Sequence, residues 1–378
     1  MSALIDECLD GLSSTVQMNF SLPASLKSTP LTEDITDENL RLISDLIAID
    51  PSALENQYKP IVREILTAIH EKSACPIDRY CVSGSLATQP NNCSDDFGFD
   101  ITVFIDCSAS HGQVEQTESD PSKKQLHMEC AIQSFEKIYS SVRSFASPNH
   151  PIECDHRGVH FSHSSGLIIH LAVFPSLGHR MHVQRKSVWD LIENLDKSIQ
   201  GYSGINQNEL DRFSIGLHES ITSFMHMGDP VFHGLVRLAR LWRNQNLCTT
   251  TTEVSTYAVV LIMMRCIEDE KARGMSVATT SSSHFPETRI FRDFLTCLSQ
   301  IDTLCLTWQR FYEPDLLPER HMASRPLIAD PVNPWRNLLS SITREQMETI
   351  KIKASESLKE TRIDSIFPGL AISAKRGA

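Results

Sequence analysis

Two short segments bring together the residue types a phosphate-handling site needs. The first is Val82-Ser83-Gly84-Ser85, a strand that ends in Gly-Ser. Glycine lets the backbone approach a phosphate closely, and the serine hydroxyl with neighbouring backbone N–H groups can donate hydrogen bonds to it. The second is Phe99-Asp100-Ile101-Thr102-Val103-Phe104. Alternation along a strand puts Phe99, Ile101, Val103 and Ile105 on a buried face, so Asp100 and Thr102 are expected to face a ligand. A carboxylate beside a phosphate-holding turn is what a magnesium-dependent nucleotidyl transfer requires, because the metal bridges carboxylate and phosphate oxygens. Asp96, four residues before Asp100, faces the same side if the strand starts early.

The elements that must position these residues follow from periodicity. Thr36 or Asp37 can cap a helix over ENLRLISDLI, with Leu40, Leu42, Ile43, Leu46 and Ile47 on one side. A longer helix over 52–72 is expected, split or kinked at Pro60. Strands are expected at 80–83 and 99–105, with a polar surface loop at 106–124 and a helix at 125–145. Residues 152–174 read as a hairpin turning at His163-Ser164-Ser165-Gly166. From there the pattern is helical, at 187–199, 208–227, 230–245, 255–270, 286–311 and 343–358. Residues 1–35 read as a loosely ordered lead-in, 36–185 as a mixed core lobe and 186–378 as a helical lobe, with a cleft between the two lobes.

Bulk properties bound the function. The 378 residues are 41% hydrophobic and 22% charged, enough for a two-lobed packed unit. No run reaches the roughly 18 apolar residues of a membrane span, and MSALIDECLDGL lacks the basic and apolar regions of a secretory signal. Eleven cysteines without CxxC pairs point to reduced thiols, in the cytoplasm or the nucleus. A net charge of −12 disfavours a generic nucleic-acid coat, though not a local basic face. Cys154, His156 and His160 alternate onto one face of the hairpin, but their spacing matches no zinc signature.

The order Gly84-Ser85, polar loop, Asp100 strand, hairpin strand ending in Pro175, then helices resembles the nucleotidyltransferase superfamily, on the branch of oligoadenylate synthases and cyclic GMP-AMP synthase-like enzymes. PVFHGLVRLARLWRNQN (230–246), STYAVVLIMMRCIE (255–268) and RPLIADPVNPWRNL (325–338) resemble three later segments of that family. The resemblance implies an α+β class with the bilobal nucleotidyltransferase fold: a mixed β-sheet lobe with flanking helices and a helical C-terminal lobe. It implies nucleotide contacts at Gly84, Ser85, Arg240 and Tyr257, with Arg237, Arg240 and Arg243 forming a basic stripe. His233 stands where relatives often carry a lysine.

The family uses three catalytic carboxylates. Only the second is kept, as Asp100; Gly98 and Ala172 stand at the other two positions. Two divalent cations about 3.5–4 Å apart need several carboxylates. A degenerate transferase is therefore expected, acting as a nucleotide, RNA or protein binding or scaffold module. The alternative is an active enzyme joining NTPs into 2′–5′-linked or cyclic oligonucleotides on sensing double-stranded RNA. It would take Mg²⁺ or Mn²⁺ on Asp100, with Asp96 as a second ligand.

Overall fold

The computed structural model describes residues 2–17, 34–47, 54–72, 76–84, 98–107, 134–140, 142–146, 152–155, 158–199, 205–226, 230–247, 254–276, 286–308, 310–313 and 316–368. The chain divides into two compact units. One comprises residues 1–17, 50–86 and 95–227; the other comprises 18–49, 87–94 and 228–378.

The first unit is built on a five-stranded mixed sheet of order β1-β2-β5-β4-β3. Its strands are β1 (Ile77–Gly84), β2 (Gly98–Ile105), β3 (Glu153–Asp155), β4 (Gly158–Ser162) and β5 (Ile168–Pro175). β2 runs antiparallel to β1 and parallel to β5, while β4 is antiparallel to both β5 and β3. Phe99, Ile101, Val103 and Ile105 are all buried, as alternation requires. The sequence hairpin is present with its turn at 163–166, where Gly166 takes φ 86°, a left-handed conformation that glycine adopts at no steric cost. Its first arm is two strands rather than one: Glu153 pairs with His160 and Asp155 with Gly158, whose φ is 147°.

The differences from the sequence reading have local causes. Ser2–Gln17 is a helix (α1) rather than a loose lead-in, because Ile5 and Leu9 bury one face. Over 54–72 the break lies where proline demands it: Leu54–Tyr58 is π-helical and Lys59–Lys72 (α3) is α-helical. Pro60 has no N–H to return to the Asn56 carbonyl. The helix expected at 208–227 is two, Gln207–Ile215 and His218–His226, separated at Gly216-Leu217. Only residues 134–140 and 142 of the helix expected at 125–145 are described as α-helical, and 143–145 form a 3₁₀ turn. Met181–Ser198 (α4), Gln207–Ile215 (α5) and His218–His226 (α6) belong to the sheet unit.

The second unit is helical, with α2 (Asp37–Leu46), α7 (Pro230–Asn246), α8 (Thr256–Ser276), α9 (Glu287–Ser299) and α11 (Arg344–Lys359), and a short α10 (Glu319–Ala323) between the last two. The Thr36 hydroxyl caps α2 by accepting from Asn39 N at 3.1 Å. Trp242 is fully buried, and its indole N–H donates to Ser357 Oγ at 2.9 Å. Phe294 stands edge-to-face against it, and Phe291 links Phe294 to Phe367. The helix expected over 286–311 stops at Ser299, and the chain continues into β6 (Cys305–Leu306), paired in parallel with β7 (Leu327–Ile328). No described helix is long and apolar enough to cross a membrane.

Candidate functional site

Asp100 lies in mid-sheet, with Ser83 of β1 on one side and His170 of β5 on the other. The parallel register sets Thr102 beside Ala172, so the two positions that follow Asp100 and His170 on the same face carry a hydroxyl and a methyl group. Asp100 Oδ1 accepts from His170 Nδ1 at 3.0 Å, and the two side chains are 41% and 47% exposed. The His170 ring stands edge-to-face against that of His160, centroids 4.2 Å apart. His160 Nε2 in turn lies 3.4 Å from Asp155 Oδ1. The result is a row across four strands: Asp155, His160, His170, Asp100.

Desolvation by the surrounding protein pushes the Asp100 pKa up, but the His170 hydrogen bond, its charge and those of His218 and His160 outweigh this. The carboxyl is held below the ordinary aspartate range and stays ionised. Thr102 does not face a ligand as alternation suggested. It is fully buried, and its Oγ1 lies 2.5 Å from His218 Nδ1 at the start of α6. The same helix covers Cys81, whose sulfur is 3.7 Å from Thr222 Oγ1. The open part of this sheet face is therefore the end that carries Asp100 and His170.

The two positions that would complete a carboxylate set differ in kind. Ala172 is buried and small, and its neighbour in register is Thr102. Gly98 is more restrictive. A Cβ built there would meet the Ile168 carbonyl oxygen far inside van der Waals contact. A side chain at 98 therefore requires β2 and β5 to move apart, and backbone cannot yield as the end of a flexible side chain can. No group of three or more His, Cys, Asp or Glu able to hold a metal occurs among the described residues. Ser85 and Asp96 lie outside the described residues. Gly84, the last residue of β1, pairs with Phe99, so its backbone is next to that of Asp100.

Arg240 and Tyr257 belong to the second unit. Arg240 is buried on α7, and Arg237 beside it is 3% exposed, with its guanidinium on Ser44 O at 3.0 Å and Ser44 Oγ at 2.9 Å. Arg243 donates to Val254 O at 2.7 Å. The arginine stripe is thus held inside its own unit rather than laid on a solvated face. The Tyr257 hydroxyl donates to Asp330 Oδ1 at 3.2 Å. Asp330 is fully buried; desolvation raises its pKa against the opposing effects of Arg336, the Val332 and Asn333 N–H groups and Tyr257. Asp100, Gly84, Gly98 and Ala172 are brought together by the sheet; Arg240 and Tyr257 are placed by the helical unit.

The His160–His170 pair was not singled out by sequence reasoning. Strand register would have found it, since both residues share the Asp100 face once β4, β5 and β2 are aligned. Cys154 and His160, expected on one strand face, lie on different strands, and His156 is outside the described residues. A second network was also missed: Arg79 bridges to Glu219 at 2.7 Å and to Asp78, which accepts from Ser176 Oγ at 2.6 Å.

Residues 197–366 match the domain family described as 2′-5′-oligoadenylate synthetase 1, domain 2, C-terminus. Among solved structures, CdnC from E. coli, in a complex with HORMA-deltaN, is 16% identical with a TM-score of 0.50, covering 83% of this chain and 86% of that chain. A cytoplasmic RNA terminal U-transferase is 13% identical with a TM-score of 0.50, covering 87% and 96%. The Cid1 poly(U) polymerase is 11% identical with a TM-score of 0.50, again covering 87% and 96%. Likeness at these identities shows the fold. None of the curated proteins matches the chain in sequence.

Proposed function

We propose that this chain, which has the nucleotidyltransferase fold, is a catalytically impaired member of the oligoadenylate-synthase and cyclic GMP-AMP-synthase-like branch that binds rather than transfers; the match of residues 197–366 supports the branch. The observation that carries this reading is the partner of Asp100. Where a transferase needs further carboxylates, Asp100 is hydrogen-bonded to His170, Ala172 offers a methyl group, and Gly98 has no room for a Cβ. These residues do not fit a pair of divalent cations, which take hard oxygen ligands from several carboxylates. The ligands considered are a nucleoside triphosphate, RNA or a protein partner. The E. coli neighbour forms a complex with HORMA-deltaN, and another neighbour is an RNA terminal U-transferase.

The test is incubation with ATP and GTP plus Mg²⁺ or Mn²⁺, with and without duplex RNA, while pyrophosphate release and bound ligand are measured together. The expected result is binding without pyrophosphate release. Metal-dependent release that disappears in Asp100→Ala would overturn the reading and establish the active-enzyme alternative. One observation favours that alternative: Asp100 is ionised and part-open to solvent.

A further inference from the structure

Helices α8 and α9 run side by side in the second unit, and one pair of thiols meets between them. Cys266 of α8 is buried and Cys297 of α9 is half-buried. Their sulfurs are 3.9 Å apart and share a hydrogen bond. A disulfide needs about 2.05 Å between sulfurs, so the remaining gap is on the order of 2 Å. Neither thiol takes part in the site around Asp100, which belongs to the other unit.

The two cysteines differ in a way that orders their chemistry. The hydrogen bond from Cys266 holds the Cys297 thiol below its ordinary pKa, outweighing burial and the nearby Asp293 and Asp269, with Arg265 assisting. The same hydrogen bond, followed by burial, drives Cys266 upward. Cys297 is also the more exposed of the two. Being the more exposed, Cys297 is the thiol that a soluble co-reactant reaches first, which makes Cys266 the resolving thiol. Cys8 and Cys81 contrast with it: burial pushes each up to about 12.

We propose that Cys266 and Cys297 form a reversible thiol–disulfide site whose co-reactant is a low-molecular-weight disulfide. The Cys297 thiolate attacks one sulfur of that disulfide, its S–S bond breaks, and one thiolate leaves with the bonding electron pair. Cys266 then loses its proton and attacks the Cys297 sulfur, forming the intrachain S–S bond and expelling the second thiolate. The protein pair is oxidised by two electrons and the small disulfide is reduced to two thiols. The crosslink ties the middle of α8 to the end of α9, closing a long loop and restricting the unfolded chain.

The full chain is treated with glutathione disulfide under native conditions, blocked with iodoacetamide, and digested without reduction for peptide mapping. The expected product is a Cys266–Cys297 crosslinked peptide lacking two hydrogens, while exposed Cys305 carries only glutathione. In Cys266→Ser, Cys297 should stop at the glutathione adduct. Oxidation of the parent chain should raise Tm by about 4 °C or more, reversed by dithiothreitol and absent in Cys266→Ser. The proposal is overturned if Cys305 is fully modified while Cys266 and Cys297 both take iodoacetamide. It is equally overturned if glutathione accumulates on Cys297 of the parent chain without transfer, or if the crosslink lowers Tm.

Discussion

At the scale of single residues, the state of Asp100 is set by a histidine neighbour rather than by a metal-ready group of acids. The hydrogen bond and charge of His170, with the charges of His218 and His160, favour the charged carboxylate and together outweigh desolvation. Removing that partner should let desolvation prevail: in His170→Ala the Asp100 pKa should rise, as read by carbon-detected NMR titration of the carboxyl. An unchanged titration would mean that His218 and His160 suffice. The linkage to stability has a definite sign. A folded pKa below the ordinary value near 3.8 favours folding above that value, and the contribution is lost as pH falls through the lowered folded pKa. His170→Ala should therefore narrow the difference between Tm at pH 6 and Tm at pH 3 relative to the parent chain.

At the scale of elements, local rules account for most boundaries. The helix Arg344–Lys359 begins with a full capping box: the Thr343 hydroxyl accepts from Gln346 N at 3.2 Å, and the Gln346 side chain accepts from Thr343 N at 2.8 Å. Losing such a cap costs about 1 kcal/mol. Thr343→Ala should lower stability by that amount in a denaturant titration with an unchanged m-value, since the core residues Ile350 and Ala354 are untouched. Strand register is the other element-scale lesson. The alternation of β2 identified its buried face, yet it could not tell that α6 covers the Thr102 half of the opposite face. That depends on Gly216-Leu217 ending one helix and letting the next begin over the sheet.

For the molecule as a whole, the charge of −12 on 378 residues is a source of self-repulsion in the folded state. Many of the ion pairs lie at the surface, such as Lys186–Asp190 and Lys353–Glu356, and pairs of that kind contribute little. Screening should therefore help more than it harms. Raising NaCl from about 0.05 M to 0.5 M, which shortens the Debye length severalfold, should raise Tm by calorimetry. A fall in Tm would show that the ion-pair networks outweigh net repulsion.

The sequence alone pointed to the fold, through an ordered set of segments that resemble a known superfamily. Gly84-Ser85, the Asp100 strand, the hairpin ending at Pro175, and the segments around Trp242, Tyr257 and Asp330 each have a spacing that survives without knowledge of distant contacts. The same resemblance led to the expectation that Gly98 and Ala172 stand where two carboxylates would. What only the tertiary structure decided is how those positions are filled. Parallel pairing of β2 with β5 sets His170 against Asp100 and presses the Ile168 carbonyl onto Gly98. These contacts join residues some seventy positions apart (Asp100 and His170), and no helical or strand period reports on them. The meeting of Cys266 with Cys297 has the same origin. Each thiol reads as an ordinary helical residue until two helices pack and bring the sulfurs together.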